Sequence, residues 1–199
     1  MEYIVLLRGI NVGGHKKVKM EDLRKVLESA GYINVKTYIQ SGNILLETQK
    51  ESDKKLASDI SKLMLEHFGF EVPVLARTIA EWAKIAEDLP FEELLIEFLH
   101  ITLLDELPDQ KAVDAIDRSK FNPNEKWQVI GKTVYLYCPD GYGRTKLTNE
   151  FWEKKLGSAA TTRNWKTLLA LMEMVENRSD SPLPAGIPYL IKEGRHNGQ

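Results

Sequence analysis

Residues 3–7 form an unbroken apolar run rich in strand formers, and the glycines at 9, 13 and 14 break it. Met20, Leu23, Val26, Leu27 and Ala30 then recur at helical spacing until Gly31 stops the pattern. Residues 35–40 and 44–47 read as two strands joined by the turn Ser41-Gly42-Asn43. Ser52 suits the cap of a helix whose apolar face is Leu56, Ile60, Leu63, Met64 and Phe68, ended at Gly69. A further strand covers 72–76. The order strand, helix, strand, strand, helix, strand is that of the split βαβ unit of ferredoxin-like domains.

A helix over 79–87 leads to Pro90 and an acidic junction at 92–97, after which the order begins again. Residues 98–104 read as a strand and 109–116 as a short helix. Residues 127–130 and 133–138 form a hairpin across Gly131-Lys132, and 151–156 belong to a helix. Residues 159–162 suit a short closing strand, and Trp165, Leu168, Leu169, Met172 and Val175 make a helical stripe. The expected fold class is α+β: two ferredoxin-like (α/β-plait) domains in tandem, with mostly antiparallel sheets packed with helices. The first domain spans 1–88 and the second 89–178, with no detectable sequence repeat between them. Residues 179–199, with Pro182, Pro184 and Pro188, are expected to form an extended or disordered tail. The central strands of the first sheet are apolar on both faces. Helices should therefore cover one side, and the second domain or a second subunit the other.

Composition narrows the class. Of 199 residues, 43% are hydrophobic and 28% charged, as in soluble globular proteins. No run of about 18 apolar residues exists, so no membrane-spanning helix is expected. The apolar start breaks at Arg8, too early for a signal peptide. The single cysteine, Cys138, excludes an internal disulfide and a cysteine-rich metal site, and reads as a small buried hydrophobe rather than a reactive thiol. A cytoplasmic location follows. The net charge of −2 does not mark a general nucleic-acid binder, but its distribution is uneven. Residues 81–117 hold eleven acids and two bases; residues 118–166 hold ten bases and four acids. The second segment is either solvated surface or an anion-binding face.

Several chemical motifs fail on inspection. His15 stands where a phosphate loop starting at Gly9 requires lysine. Gly141-Tyr142-Gly143 lacks the third glycine of a dinucleotide fingerprint. His15, His67, His100 and His196 have no metal-ligand spacing, so neither metal nor tightly bound cofactor is expected. Tyr135 and Tyr137 on one strand, and His100 and Thr102 on another, would suit base stacking only on an open sheet face.

Topology brings the remaining candidates together. Two strands of a split βαβ unit end at one edge, so the loop holding Arg8, Asn11, Gly13 and Gly14 meets the turn Gln40, Ser41 and Asn43. Glycine amides and neutral side chains there suit a small ligand, or the glycines simply serve turns. In the second domain, loops 139–147 and 161–165 each open a helix at the same edge. Arg144, Lys146, Arg163, Asn164 and Lys166 surround the two helix starts, an arrangement suited to a phosphate or carboxylate. The competing reading is that Arg144 and Arg163 pair with acids of 81–117 and staple the domains together.

Four segments resemble an uncharacterised bacterial family, the domain-of-unknown-function 1697 family. They are Leu-Leu-Arg-Gly-Ile-Asn-Val-Gly-Gly at 6–14, Tyr-Ile-Gln-Ser-Gly-Asn at 38–43, Gly-Tyr-Gly-Arg-Thr-Lys-Leu at 141–147 and Thr-Thr-Arg-Asn-Trp-Lys-Thr at 161–167. Thr145 and Lys166 depart from the family's usual Ser and Arg. The resemblance implies a cytoplasmic bacterial protein with two α/β-plait domains and carries over no catalytic residue. The expected function is binding of a small anionic or phosphorylated ligand, with nucleic acid as a lesser option, no membrane partner, and a homodimer left open. The alternatives are an enzyme of unknown reaction using Arg8, Asn11, Gln40 and Asn43, or an interaction protein whose motifs only fix packing. Exposed motif side chains in a cleft favour ligand or enzyme; buried, mutually bonded ones favour packing.

Overall fold

A computed structural model of the chain describes residues 1–49, 52–92 and 95–177. The first half runs β1 (Glu2–Leu7), α1 (Met20–Ser29), β2 (Ile33–Tyr38), β3 (Asn43–Glu47), α2 (Asp53–Phe68), β4 (Val74–Thr78) and α3 (Ile79–Glu87). The second half repeats the order as β5 (Leu99–Leu104), α4 (Gln110–Asp114), β6 (Lys126–Ile130), β7 (Thr133–Tyr137), α5 (Asn149–Leu156), β8 (Ala160–Asn164) and α6 (Trp165–Glu176). The architecture is α+β, with two four-stranded antiparallel sheets ordered β2-β3-β1-β4 and β6-β7-β5-β8. The tail expected at 179–199, and residues 93 and 94 of the junction, lie outside the described residues.

Local chemistry sets the element ends. The Ser52 hydroxyl accepts the Lys55 amide at 3.3 Å ahead of α2, and Gly69 closes that helix in the left-handed conformation. Thr78 and Glu81 form a reciprocal capping box at the start of α3. β8 runs two residues beyond its expected end and carries Arg163 and Asn164 into the strand. Strand alternation therefore fixes which face Arg163 joins.

Three apolar cores stack through the protein. α1 and α2 cover one face of the first sheet, through Leu23, Leu27, Leu56 and Ile60 against Tyr3, Val5 and Ile44. Trp152 and Leu156 of α5, with Val113 of α4, cover one face of the second sheet. α3 and α6 fill the space between the two sheets, where Trp82, Trp165 and Leu168 meet Ile4, Leu6, Leu45, Ile101 and Tyr135. The covering expected for the inner face of β1 and β3 is thus supplied by α3 and α6 of the same chain. Two buried polar groups here find carbonyl partners. The Trp82 indole donates to Leu168 O at 3.3 Å, and the Tyr135 hydroxyl donates to Ile85 O at 2.9 Å. The second sheet consequently has no open face for stacking bases; Tyr135 is core.

The two halves share a register that the sequence does not display. Ile4 pairs with Arg77 across β1 and β4, and Ile101 pairs with Arg163 across β5 and β8. In each case the arginine immediately precedes the residue that caps the following helix, Thr78 for α3 and Asn164 for α6. Arg77 donates to Leu104 O, at the end of β5, and Arg163 donates to Leu7 O, at the end of β1. Each also donates to the carbonyl just before it, Ala76 or Thr162. The exchange is reciprocal, as a two-fold relation between the halves requires.

Because α3 and α6 pack against both sheets, the two halves are expected to unfold together. Urea unfolding followed by far-ultraviolet circular dichroism and by tryptophan fluorescence should give coincident single transitions. Two separated transitions would show that the middle core does not couple the sheets. Arg77→Ala should lower stability by about 3 kcal/mol, because Leu104 O loses its donor and Asp53 loses a nearby cation.

Candidate functional site

The amino-terminal motifs do meet at one sheet edge. The Asn11 side chain donates to Gln40 O and Val18 O, each at 2.9 Å, while its oxygen accepts the Val18 amide at 2.9 Å. Asn11 thereby closes the loop 11–18 on itself and ties it to the turn 39–42. The Leu7 amide donates to Gly42 O at 2.8 Å. Gly42 has φ of +78°, and a Cβ there would lie 2.7 Å from Leu7 Cβ and 2.9 Å from Ile10 Cδ1. Both the backbone conformation and the close approach of β1 require glycine. Gly13, Gly14 and Gln40 are exposed on this edge.

Asn43 does not share that exposure. It is 0% exposed, and its amide nitrogen donates to Tyr38 O at 3.1 Å and Ser41 Oγ at 2.9 Å. Its oxygen accepts from Arg163 Nε at 2.5 Å. The Arg163 guanidinium also reaches Leu7 O at 2.7 Å, Ser41 O at 3.0 Å and Thr162 O at 2.9 Å. Burial lowers its pKa to about 10, so it remains a cation at neutral pH. Arg8 joins the same seam, bonding Glu153 of α5 and, at 2.6 Å, Ala160 O. The first, second and fourth motifs therefore interlock across the two sheets. Arg163, expected to stand largely exposed, is half-buried because strand alternation turns it toward the first sheet. Its partners are backbone carbonyls and an amide, so Arg163 joins the two halves without the acids of 81–117; Arg144, the other arginine of the stapling reading, makes no ion pair with them among the described residues.

The edge of the second sheet that holds loop 139–147 is different. Thr148 caps α5 by accepting the Phe151 amide at 3.3 Å, and Asn164 caps α6 by accepting the Thr167 amide at 2.8 Å. Asn164 and Lys166 are exposed beside the start of α6. Arg144 and Lys146 are exposed, as expected, and neither makes an ion pair among the described residues. Both line an open cleft of about 180 Å³ with Asn122, Glu125 and Asp140. The Asn122 amide donates to Asp140 at 2.5 Å, which fixes one wall. Cys138, at the base of this loop, is buried, and burial pushes its thiol up to about 12. It is inert packing.

A polar cluster that sequence reasoning did not assemble lies under the same loop. Thr102 Oγ1 and Thr162 Oγ1 are 2.6 Å apart, the Tyr142 hydroxyl donates to Thr162 Oγ1 at 3.1 Å, and Thr162 donates to Asn149 Oδ1 at 2.7 Å. His100 stacks on Tyr142 with ring centroids 4.8 Å apart and planes tilted by 22°. His100 and Thr102 could be placed on one strand face from alternation alone; the contact of His100 with Tyr142 and of Thr102 with Thr162 carried no sequence signal. No group of three or more metal-ligating side chains occurs among the described residues.

Arg163→Ala is expected to lose about 3–5 kcal/mol of folding stability, since Leu7 O, Ser41 O and Asn43 Oδ1 would all lose a charged donor. Gly42→Ala should lose about 2–4 kcal/mol through overpacking and a strained backbone. Thermal and urea unfolding check both; near-native stability of either variant would show that the seam is not a major support.

With this geometry in hand, comparison places the chain. It matches the family described as "Protein of unknown function (DUF1697)" over residues 1–135. The motifs at 141–147 and 161–167 lie beyond the matched span. Among solved structures it is similar to the conserved bacterial protein SP0830 from Streptococcus pneumoniae, with a TM-score of 0.69 and 24% identity over 87% of this chain and 98% of that one. At that identity the likeness shows the fold. No curated protein matches. No helix among the described residues is long and apolar enough to cross a membrane.

Proposed function

The chain belongs to the DUF1697 family of proteins of unknown function, and we propose that it binds a small phosphorylated ligand at loop 139–147 of its second sheet. The observation that carries this reading is the cleft lined by Arg144 and Lys146, two exposed cations without a carboxylate ion pair at the entry to α5. An arginine offers a planar fork to phosphate oxygens and a lysine adds a point charge. Glu125 and Asp140 on the same walls suit hydroxyl donors beside the phosphate, as a sugar phosphate or nucleotide supplies. Gly13, Gly14, Gln40, Asn164 and Lys166 remain available to a ligand, whereas Arg8, Asn11, Asn43 and Arg163 are held by internal hydrogen bonds. For those four the packing reading is favoured by their bonding.

The architectural reading is that each sheet, with α1 and α2 or with α4 and α5, is a ferredoxin-like α/β-plait, the first unit spanning 1–88 and the second 89–178. The strand order and the antiparallel pairing support it. A cytoplasmic setting fits the single cysteine.

Isothermal titration calorimetry with adenosine 5′-monophosphate and with inorganic phosphate tests the site. The native protein should bind saturably. Arg144→Ala and Lys146→Ala should weaken binding about tenfold or more each, because a charge-assisted contact contributes about 1.5–3 kcal/mol. Stability should stay within about 0.5 kcal/mol, as both side chains are exposed. Absence of saturable binding, or equal affinity in the variants, would refute the assignment.

A further inference from the structure

The cleft beside loop 139–147 is lined by charges of both signs, Arg144 and Lys146 with Glu125 and Asp140. None of the four makes an ion pair among the described residues. Each stands on backbone that is fixed by hydrogen bonds. The Asn122 side chain accepts the Asn124 amide at 3.0 Å, and the Glu125 amide donates to Asn122 O at 3.0 Å, which sets Glu125 at the foot of β6. The Gly141 amide donates to Cys138 O at 2.9 Å, so Asp140 sits at the corner of a closed turn. The Asn122 amide ties that corner to the first turn through Asp140 Oδ2. On the other side the Arg144 amide donates to Gly141 O at 3.0 Å, and the buried Thr145 and Leu147 anchor the chain on either side of Lys146.

The two carboxylates still have acceptor capacity. Asp140 Oδ1 accepts no hydrogen bond among the described residues. Glu125 is half-buried, and its carboxylate has neither a hydrogen bond nor an ion pair among them. A carboxylate drawn partly out of water without a donor is costly, and a ligand that answers it recovers that cost. The two cations and two carboxylates cancel in net charge, so a phosphate attracted by the first pair is opposed by the second. A hydroxyl on the ligand gives a carboxylate one neutral hydrogen bond and leaves its charge standing. An ammonium gives three donors and the opposite charge, and such charge-assisted bonds are about twice as strong. A second anionic group on the ligand would instead meet Glu125 and Asp140 and be rejected.

We propose that the ligand of this cleft is a small phosphorylated amine, its phosphate held by Arg144 and Lys146 and its ammonium by Glu125 and Asp140. The proposal rests on the phosphate reading above and names the class of phosphomonoester that the site selects. Inorganic phosphate and hydroxyl-bearing phosphomonoesters occupy the same pair of cations more weakly. Glu125 and Asp140 are specificity-determining residues, and binding makes and breaks no covalent bond.

The test is calorimetric titration at pH 7 and low ionic strength with 2-aminoethyl phosphate and 2-hydroxyethyl phosphate, which differ only in the ammonium. The amine should bind about tenfold more tightly, the advantage of a charge-assisted over a neutral hydrogen bond. Added salt should shrink that preference. The double variant Glu125→Gln, Asp140→Asn keeps the side-chain shapes, and it should abolish the preference while binding 2-hydroxyethyl phosphate at least as tightly as the native protein. Each single variant should reduce the preference, so the result does not depend on the double variant folding. Arg144→Ala should weaken both ligands by the same factor. If both ligands bind the native protein equally and with Arg144 dependence, the ammonium subsite is overturned and the phosphate reading stands. If neither binds, both fall. A preference that survives in the single and double variants places the ammonium elsewhere and also overturns the proposal. Phosphatidylcholine vesicles, with or without phosphatidylethanolamine, should not sediment the protein. Sedimentation that requires phosphatidylethanolamine and Arg144 would make the source a lipid headgroup and overturn the small-ligand assignment.

Discussion

Two guanidinium groups at the seam between the sheets set the frame on which everything else in this protein is hung. A cation withdrawn from water is costly unless its donors find acceptors, and arginine offers five in a fixed fork. Arg163 makes four hydrogen bonds, to the end of β1, Ser41 O, the Asn43 amide and its own strand. Arg77 makes two, to the end of β5 and the preceding carbonyl, with Asp53 3.8 Å away. Strand-end carbonyls are apt partners because the ladder no longer supplies them with a donor. A lysine in either place would bring a point charge without the fork, and could not span three acceptors in a plane. The relative placement of the sheets is thus written in hydrogen bonds at the ends of strands, while α3 and α6 supply the apolar bulk between them.

Much of the fold was legible in the sequence because hydrophobic periodicity and caps are local properties. The helical stripe at Met20, Leu23 and Leu27, the Ser52 cap, Gly69 and the restart of the pattern after Pro90 each have a counterpart in the structure. The meeting of loop 9–14 with turn 40–43 was legible too, since topology alone brings those ends together. What the pattern could not supply was the face of Arg163. Ending the last strand at Thr162 left the arginine in a loop, where it is free to face solvent. Two more residues of strand fix its alternation and turn it inward. Arg163 is thereby part of the scaffold, and Asn43 joins it there as its acceptor.

The polar cluster around His100 was hidden for another reason. Its members come from β5, the single turn at Tyr142–Arg144, α5 and β8, and no spacing rule links them. Strand alternation could show that His100 and Thr102 share a face but not that the face is roofed by Tyr142. The reading of that face as an open platform assumed an uncovered sheet. Cover on both sides turns the same residues from stacking partners into a half-buried cluster beneath loop 139–147.

The two-fold relation sharpens where chemistry belongs. Positions that agree between the halves, such as Arg77 with Arg163 and the capping residues Thr78 with Asn164, do the same structural work twice. Positions that differ have been released from that work. The first half keeps Tyr3, Val5 and Ala76 as core and connects β3 to its helix through the short segment 48–52. The second half replaces that core with His100, Thr102 and Thr162 and lengthens the same connection to 138–148, where Tyr142, Arg144 and Lys146 reside. The longer β7–α5 loop and the polar patch beneath it lie side by side in one half only, while the inner arginine frame is common to both. The asymmetry runs both ways, since the first half has the longer connection from its first strand to its first helix, 8–19 against 105–109, and the second half the longer one before α5; at the first edge Asn11 closes the loop on itself, whereas Arg144 and Lys146 stand exposed at the second.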